Sequence, residues 1–280
     1  MKIKFGDAGK GNTGQKTGSN IGMEGEAIAG GEAQMTLMEE VWDVIKTVGL
    51  AVLITLIFRI FFYQPFNIPT GSMQPNLLVG DFVLVSKGTY GYSKASLIWP
   101  LTRIDSQAII FDKPVERGDV VVFKNSHDQN KDYIKRVIGM PGDRIQTIGG
   151  LLYINGKQVP REFVSNETIA CRGYNSKAAT WRETLPNGVS YIIQECQGND
   201  YTLDNAGPFL VPADHYFMMG DNRDNSQDSR TEYVQYVPDY QIVGKAQNLV
   251  FSVDGKKSHI WEVWKWPGAI RYSRIFDRVE

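Results

Sequence analysis

The feature that most limits how this 280-residue chain folds is a strongly apolar stretch at residues 41–62. As an α-helix, 22 residues span about 33 Å, which is close to the thickness of the hydrocarbon core of a bilayer. The charged side chains lie near its ends, Asp43 and Lys46 at one and Arg59 at the other. We therefore predict a single transmembrane anchor over residues 41–63.

Two other interpretations of this stretch have to be considered. Its uncharged centre, residues 47–58, is short for a spanning helix unless the flanking charged side chains reach the interface, so a buried core helix is one alternative. A cleaved signal peptide is the other, but it requires small residues at a cleavage site. The residues that follow, Tyr-Gln-Pro-Phe-Asn at 63–67, do not provide one. An uncleaved anchor is thus the favoured interpretation, although the mixed charges around Lys46 do not set its orientation.

Beyond the anchor, the pattern is that of a mainly β protein. The chain has 28 Gly and 12 Pro, and its 13 Phe and 13 Tyr are residues that strands favour. Asn155-Gly156, between two short apolar runs, is a strong signal for a tight hairpin turn. The predicted strands are residues 82–86, 119–124, 133–139, 144–148, 151–154, 190–194 and 241–251.

Composition also suggests a division of the chain. Residues 1–34 are rich in small and polar residues and lack apolar periodicity, so we predict a disordered tail. Residues 64–150 and 206–280 are predicted to form one antiparallel β core in two parts. Residues 151–205, which are more polar and contain weaker strands, are predicted to form an inserted β subdomain.

Charge and cysteine content exclude several classes of function. The net charge of −1 gives no overall field that would attract nucleic acid. The sequence has no CxxC motif and its three histidines are scattered, so we predict neither a metal site nor a cofactor. The two cysteines, Cys171 and Cys196, form a disulfide if they lie in an oxidising compartment, and two free thiols are the alternative.

One hydroxyl, that of Ser72, stands in a short turn bracketed by Pro69 and Pro75. Proline fixes its own φ and biases the preceding residue toward extended conformations, and Gly71 tolerates a sharp turn. Most clusters of this kind are ordinary turns. The alternative is a rigid mount for a nucleophile, which needs a base.

Lys135 is the candidate base, because nothing in the sequence places a histidine near Ser72. In a strand over residues 133–139, Lys135 shares its face with Tyr133 and Val137. If that face is buried, desolvation lowers the pKa of the amine from about 10.4 toward the roughly 7–8 that a base at neutral pH needs. A lysine that faces water on an edge strand is the competing interpretation.

The run from Gly220 to Arg230 is dense in Asp, Asn, Ser and Arg. Counted from Asp221, it is a poor match to a calcium-binding EF-hand loop, because the third position holds Arg223 and the sixth holds Ser226 instead of Gly. A solvated acidic turn is one interpretation. The other is a buried polar network in which Asp228 pairs with Arg230 and Ser226 bonds to a neutral amine.

Four blocks of the sequence, taken in order, resemble the bacterial type I signal peptidases, a family of membrane-anchored Ser/Lys endopeptidases. The blocks are QPFNIPTGSMQPNLLVGDFVLVSK, RGDVVVFK, YIKRVIGMPGD and GDNRDNSQDSR. The similarity covers roughly residues 50 to 275 and is patchy through the predicted insertion. It implies a mainly antiparallel β catalytic core, with an inserted β subdomain and an N-terminal membrane helix.

The resemblance also implies roles for the matching positions. Ser72 matches the nucleophile and Lys135 matches the general base. Thr70 matches a hydroxyl that joins the Ser72 backbone N–H in the oxyanion hole, and Ser226 matches the hydroxyl that orients the lysine. Asp228, Arg230 and Arg136 match residues that support the site, and Ile68, Pro69 and Ile134 match parts of the shallow pockets for small substrate side chains.

The implied function is cleavage of N-terminal signal peptides from exported pre-proteins at a membrane surface. The expected location is the bacterial inner membrane, with a single span and the catalytic domain on the periplasmic or outer face. Pre-proteins and the lipid bilayer are the expected partners, without nucleic acid or metal. Two alternatives remain at this point: a Ser/Lys protease with one dedicated substrate, and a membrane-anchored binding protein with a degenerate site.

Overall fold

A computed structural model of the chain describes residues 37–93, 95–96, 113–125, 127, 131–171, 174–196, 202–254, 264 and 266–279. The predicted disordered tail at residues 1–34 lies outside these residues. Residues 49–280 form one compact unit that contains all the described strands, and residues 37–48 belong to a separate one.

The apolar stretch is helical, as the sequence predicts. Helix α1 extends over Leu37–Phe61, and its segment Leu37–Arg59 has a mean hydropathy of 2.0 and is long and apolar enough to cross a membrane. Leu50 and Ile54 are more than half exposed to the surroundings. A helix that belonged to the core of a soluble protein would bury such side chains, so the exposure supports the anchor.

Fourteen strands follow, and the named strands pair only in antiparallel fashion among the described residues. They are β1 Tyr63–Asn67, β2 Asp81–Ser86, β3 Val120–Lys124, β4 Asp132–Gly139, β5 Arg144–Ile148, β6 Leu151–Ile154, β7 Lys157–Gln158, β8 Arg161–Cys171, β9 Tyr174–Thr184, β10 Ser190–Glu195, β11 Ala206–Leu210, β12 His215–Met219, β13 Val237–Pro238 and β14 Ile242–Ser252. The prediction of a mainly antiparallel β fold after one N-terminal helix is confirmed.

The strands form three sheets. The largest has seven strands in the order β1-β2-β14-β3-β4-β12-β13, and a four-stranded sheet has the order β11-β5-β6-β7. The third contains β10, β9 and β8, and most of it lies within the predicted insertion. The predicted boundary between residues 150 and 151 falls between β5 and β6, which pair with each other, so the division into core and insertion stays a prediction.

The turn between β6 and β7 confirms the hairpin signal in the sequence. Asn155 and Gly156 have φ values of 54° and 77°, which is the left-handed conformation that a tight two-residue hairpin requires at both central positions. Asn and Gly adopt it at the least steric cost. The same two residues therefore fix the register in which Ile154 faces Lys157.

One apolar cluster joins the three sheets. Ile138 and Phe217 come from the large sheet, Ile145 from the four-stranded sheet and Ile193 from the three-stranded one, and all four are buried. A second cluster lies on one face of the large sheet, where Val83, Val85 and Val122 pack with Ile68. The face that carries this second cluster forms the floor of the site described below.

Cys196, directly after β10, is buried and disulfide-bonded. The sequence contains one other cysteine, Cys171, at the end of β8. Of the two alternatives that composition leaves open, the structure therefore favours the oxidised state.

Substituting Ile193→Ala is predicted to destabilise the fold by about 2–5 kcal/mol, because it opens a cavity where the three sheets meet. The matched variant Ile148→Ala changes a strand isoleucine that is 46% exposed and is expected to cost less than about 1 kcal/mol. Urea unfolding in non-ionic detergent measures both. Equal losses of unfolding free energy in the two variants would show that the three-stranded sheet does not depend on this shared core.

Candidate functional site

The turn that carries Ser72 connects β1 to β2 and is fixed at both ends. The Ile68 N–H donates to the Asp81 carbonyl at 2.8 Å, and the Leu77 N–H donates to the Met73 carbonyl at 2.9 Å. Met73 and Leu77 are completely buried, so the turn is held by apolar packing as well as by its hydrogen bonds. Ser72 itself is 7% exposed.

Lys135 lies in β4 and its side chain reaches this turn. Its Nζ atom is 2.8 Å from Ser72 Oγ, and it donates a second hydrogen bond of 2.8 Å to the Ile134 carbonyl. The residue is only 3% exposed. The lysine is therefore not the water-facing residue of the competing interpretation.

The environment of Lys135 shifts its protonation equilibrium toward the neutral amine. Burial lowers the pKa of Lys135 to about 8, although the negative charges of Asp228 and Asp221 act in the opposite direction. A neutral amine within hydrogen-bond distance of a hydroxyl can accept the hydroxyl proton. The pair Ser72 and Lys135 is thus chemically equipped for nucleophilic attack.

Asp228 and Arg230 form a buried ion pair close to this amine. The Arg230 Nε and Nη2 atoms each donate to the Asp228 carboxylate at 2.9 Å. Burial, the largest single influence, would raise the pKa of Asp228, but the Arg230 charge, the hydrogen bonds from Arg230 and the Gly220 N–H, and the nearby Ser226 hydroxyl together outweigh it, and the pKa is lowered. Asp228 therefore remains ionised, and Gly220 N–H donates to it at 3.0 Å.

Gly220 lies where the polar run passes closest to Ser72. A Cβ atom at this position would be 2.2 Å from Ser226 Oγ and 2.5 Å from the Ser72 carbonyl oxygen, so a side chain does not fit. The Ser226 hydroxyl is buried and near enough to Asp228 to lower the pKa of its carboxyl, but it forms no hydrogen bond of normal geometry among the described residues. A glycine here is what allows Ser226 to approach the Ser72 backbone.

Arg136, the neighbour of Lys135, holds a second buried carboxylate. Its Nε and Nη2 atoms both donate to Asp221 at 2.8 Å, and its guanidinium lies 4.1 Å above the Tyr191 ring. Asp221 also accepts a 2.7 Å hydrogen bond from the side chain of Asn76, in the Ser72 turn. The ion pair therefore connects β4, the polar run and the turn.

Several of these residues are absent from the sequence prediction. Asn222 donates from its backbone to the Ser72 carbonyl at 3.1 Å and from its side chain to the Gly71 carbonyl at 3.2 Å. Arg223 pairs with Glu183 in β9, which also accepts from Tyr191. The polar run drew attention to Asn222 and Arg223 only as a group, and no local signal indicates Asn76 or Glu183.

A cleft of about 690 Å³ opens over Ser72 and Lys135. Its two walls are residues 66–72 and residues 131–135, Val122 lies between them, and residues 224–227 close the end near Ser72. Of the predicted site residues, the cleft is lined by Ile68, Pro69, Thr70, Ser72, Ile134, Lys135 and Ser226. Arg136, Asp228 and Arg230 are buried behind it.

One wall of the cleft offers an unpaired strand edge. β12 pairs with β4 at residues 136–139. Residues 132–135 pair with β3 on their other side and have no second partner among the named strands. An extended peptide can add its backbone to such an edge.

Within the described part of the chain, no cluster of three or more His, Cys, Asp or Glu side chains is arranged to hold a metal ion. The predicted absence of a metal from the chemistry stays a prediction.

Comparison with known proteins gives a consistent result. The family model described as signal peptidase, peptidase S26, matches residues 41–251. Signal peptidase I of Rickettsia typhi is 38% identical over 244 residues, which cover 81% of this chain and 89% of that protein. Signal peptidase I of Rickettsia massiliae is also 38% identical, with 80% and 87% covered.

A solved structure of a signal peptidase I from Enterococcus faecalis matches with 25% identity and a TM-score of 0.28, over 48% of this chain and 97% of that one. The family model covers most of the sequence, and so do the two relatives. On these matches, the chain belongs to the signal peptidase (peptidase S26) family.

Proposed function

We propose that Ser72 is the nucleophile and Lys135 the general base with which this membrane serine endopeptidase cleaves signal peptides. Family membership establishes the reaction. The observation that carries the assignment of residues is the 2.8 Å distance between Ser72 Oγ and the buried Lys135 Nζ.

In the first step, the neutral Lys135 amine takes the proton of Ser72 as Oγ attacks the scissile carbonyl carbon. The carbonyl oxygen becomes negatively charged in the tetrahedral intermediate. The backbone N–H of Ser72 and the hydroxyl of Thr70, which lines the cleft, donate to this oxyanion. Donors placed in advance for a developing charge are worth roughly 10²–10³ in rate.

In the second step, the Lys135 ammonium returns the proton to the leaving amine of the mature protein. Ser72 then carries the signal peptide as an acyl ester. A water molecule, deprotonated by the amine of Lys135, attacks this ester; the resulting ammonium then gives its proton to Ser72 Oγ as the signal peptide leaves with a free C-terminal carboxyl group. One lysine therefore acts as base and then as acid in acylation, and as base and then as acid again in deacylation.

The buried charges keep this lysine in place. In this structure the Ser226 hydroxyl makes no hydrogen bond to Lys135 Nζ, and we assign it the role of orienting the amine because it lines the same end of the cleft. Asp228 with Arg230 holds the polar run that carries Ser226. Arg136 binds the same run through Asp221. We assign these residues a positioning role, since none but Ser226 lines the cleft.

The substrate is expected to lie in the cleft as an extended strand along residues 132–135. Ile68, Pro69 and Ile134 then contact the small side chains that precede the cleavage site. The two walls, residues 66–72 and residues 131–135, have the same N-to-C direction, and both end close to Ser72. A pre-protein that is added in parallel to them has its N-terminal, apolar part at the end where α1 joins β1.

The location follows from the anchor. A helix that is apolar enough to span a membrane precedes β1 directly. We propose that it anchors the chain once in the bacterial inner membrane, in contact with the lipid bilayer, with residues 64–280 on the periplasmic or outer face. Exported pre-proteins reach that face with their signal peptides still in the membrane.

Ser72→Ala and Lys135→Met are each predicted to lower kcat for a purified pre-protein by about 10³-fold or more, because each removes a group that forms or breaks bonds. Gel analysis of cleavage in detergent measures this effect. Lys157→Met, at the exposed hairpin, is the control and should cleave normally. Substantial turnover by either site variant, with an unchanged fold, would contradict the assignment.

The rate is predicted to rise with pH through a midpoint near 8. The pKa of Lys135 is lowered to about 8, so the amine is protonated and inactive below this value and neutral above it. A profile of kcat/KM between pH 6 and 10 reports this ionisation of the free enzyme. A midpoint between pH 6 and 7, as for an ordinary histidine, would rule out Lys135 as the base.

Gly220→Ala is predicted to reduce kcat more than tenfold while the protein still folds, because the added Cβ displaces Ser226 from the Ser72 backbone. Gly268→Ala is the matched control, since nothing lies within 4 Å of its Cβ position. Cleavage assays and thermal unfolding of both variants separate loss of activity from loss of structure. Wild-type activity of Gly220→Ala would show that the close approach is irrelevant to catalysis.

A further inference from the structure

Asn222 is a buried polar residue to which the proposed mechanism gives no role. Its side chain is completely enclosed, and it contacts the turn that carries the nucleophile. The Asn222 backbone N–H donates to the Ser72 carbonyl at 3.1 Å, and its side-chain amide donates to the Gly71 carbonyl at 3.2 Å. One residue from a distant part of the chain therefore holds the two successive peptide units on either side of Ser72.

The peptide unit between Gly71 and Ser72 connects Asn222 with the oxyanion. Its carbonyl accepts from the Asn222 side chain and from the Gln74 N–H, at 3.2 Å in each case. Its N–H is that of Ser72, the backbone donor proposed for the oxyanion hole. This unit is trans, so its C=O and N–H are coplanar and point in opposite directions. The two donors on the carbonyl therefore set the direction of the Ser72 N–H.

The Ser72 N–H is available for a substrate. Within the described part of the chain, no protein acceptor takes this N–H, and Ser72 lines the cleft. Most backbone N–H groups in a protein interior have an acceptor, so a free one in a 7% exposed residue needs an explanation. The substrate oxygen that becomes negative when Ser72 attacks supplies the acceptor.

Glycine at position 71 makes external support for this peptide unit necessary. Without a Cβ atom, the backbone of Gly71 can rotate over a wide range, and the peptide unit that follows can then turn its N–H away from the substrate. An oxyanion hole depends on donors that are fixed before the reaction begins. The hydrogen bond from Asn222 removes the freedom that Gly71 leaves.

Asn222 is itself held by β10. The Gln194 N–H donates to the Asp221 carbonyl at 2.9 Å, and the Gln194 carbonyl accepts from the Arg223 N–H at 2.8 Å. Residues 221–223 thus pair with β10 as a short parallel segment. The strand belongs to the predicted insertion, so a part of the chain outside the catalytic turn and β4 sets the position of Asn222.

We propose that Asn222 is a positioning residue for the oxyanion hole, which holds the Gly71–Ser72 peptide unit so that the Ser72 N–H faces the scissile carbonyl oxygen. This inference rests on the proposed function. Asn222 does not touch the substrate, because it is completely buried and is absent from the described lining of the cleft. Its effect is realised only when charge develops on the oxygen, so it raises the rate of the chemical step without tightening substrate binding.

The first test measures cleavage of a pre-protein by the full chain in non-ionic detergent. Asn222→Ala removes the side-chain donor, and Asn222→Ser replaces it by a hydroxyl that is too short to reach Gly71. Both variants are expected to lower kcat about 10²-fold, as for the loss of one oxyanion donor, with less than a twofold change in KM. The matched control is Asn187→Ala, because Asn187 donates to the Arg117 carbonyl at 2.8 Å outside the cleft. This control should leave both constants unchanged.

The second test compares two inhibitors that have the same peptide sequence. One ends in a trifluoromethyl ketone: Ser72 Oγ adds to the ketone carbon, its proton passes to the Lys135 amine, and the ketone oxygen takes the electron pair and becomes an anion. The other ends in the corresponding alcohol, which has no carbonyl carbon to attack. We expect the inhibition constant of the ketone to rise about 10²-fold in both Asn222 variants, in parallel with the loss in kcat. The inhibition constant of the alcohol should change less than twofold.

A merely structural role of Asn222 gives a different pattern. A distorted cleft would weaken the ketone and the alcohol equally, and this result would overturn the proposal. Unchanged inhibition by the ketone would do so as well. Asn222→Ser decides the question if Asn222→Ala does not fold, and the failure of both variants to fold would show that the residue serves the fold instead of the oxyanion.

Ser72→Ala distinguishes the failure of this inference from that of the proposed function. If Ser72 were not the nucleophile, Ser72→Ala would still cleave the pre-protein and would bind the ketone as tightly as the wild-type chain does. If only the role of Asn222 were wrong, Ser72→Ala would lose both properties, and the Asn222 variants would not discriminate between ketone and alcohol.

Discussion

The geometry around Ser72 depends on the buried ion pair between Arg136 and Asp221. Its partners are 0% and 1% exposed, so the loss of either would leave the other as an uncompensated charge in the interior. Arg136 is in the strand that contains Lys135, and Asp221 binds Asn76 in the turn that contains Ser72. This ion pair therefore helps to hold the Ser72 turn and β4 at the distance that places the Ser72 hydroxyl next to the Lys135 amine.

The burial of the Lys135 amine is electrostatically unfavourable for its charged form. Lys135 has lost its hydration without gaining a carboxylate in hydrogen-bond contact, and the resulting shift of its pKa suits it to the proposed role of base. The ion pairs behind it are matched: Arg230 with Asp228, and Arg223 with Glu183. The arginines behind the site each have a carboxylate partner, whereas the Lys135 amine has none in hydrogen-bond contact.

Local patterns predicted much of this fold, and contacts between distant residues account for what they missed. A short apolar run predicted the strand Leu151–Ile154, and Asn155-Gly156 predicted its turn, because both signals lie within a few neighbouring residues. The burial of Lys135 could not be predicted from the sequence, because it depends on segments that are distant in the chain and pack against β4. The bond from Asn76 to Asp221 spans 145 residues, and hydrophobic periodicity carries no information on such a pair.

The anchor has a consequence for how tightly a substrate must bind. α1 ends at Phe61, eleven residues before Ser72, so even a fully extended connection holds the hydroxyl within about 40 Å of the end of the helix. Enzyme and pre-protein then diffuse in the same two-dimensional layer and meet at a high effective concentration. Shallow contacts, such as those proposed for Ile68 and Ile134, are sufficient under these conditions, and weak contacts release the cleaved peptide quickly.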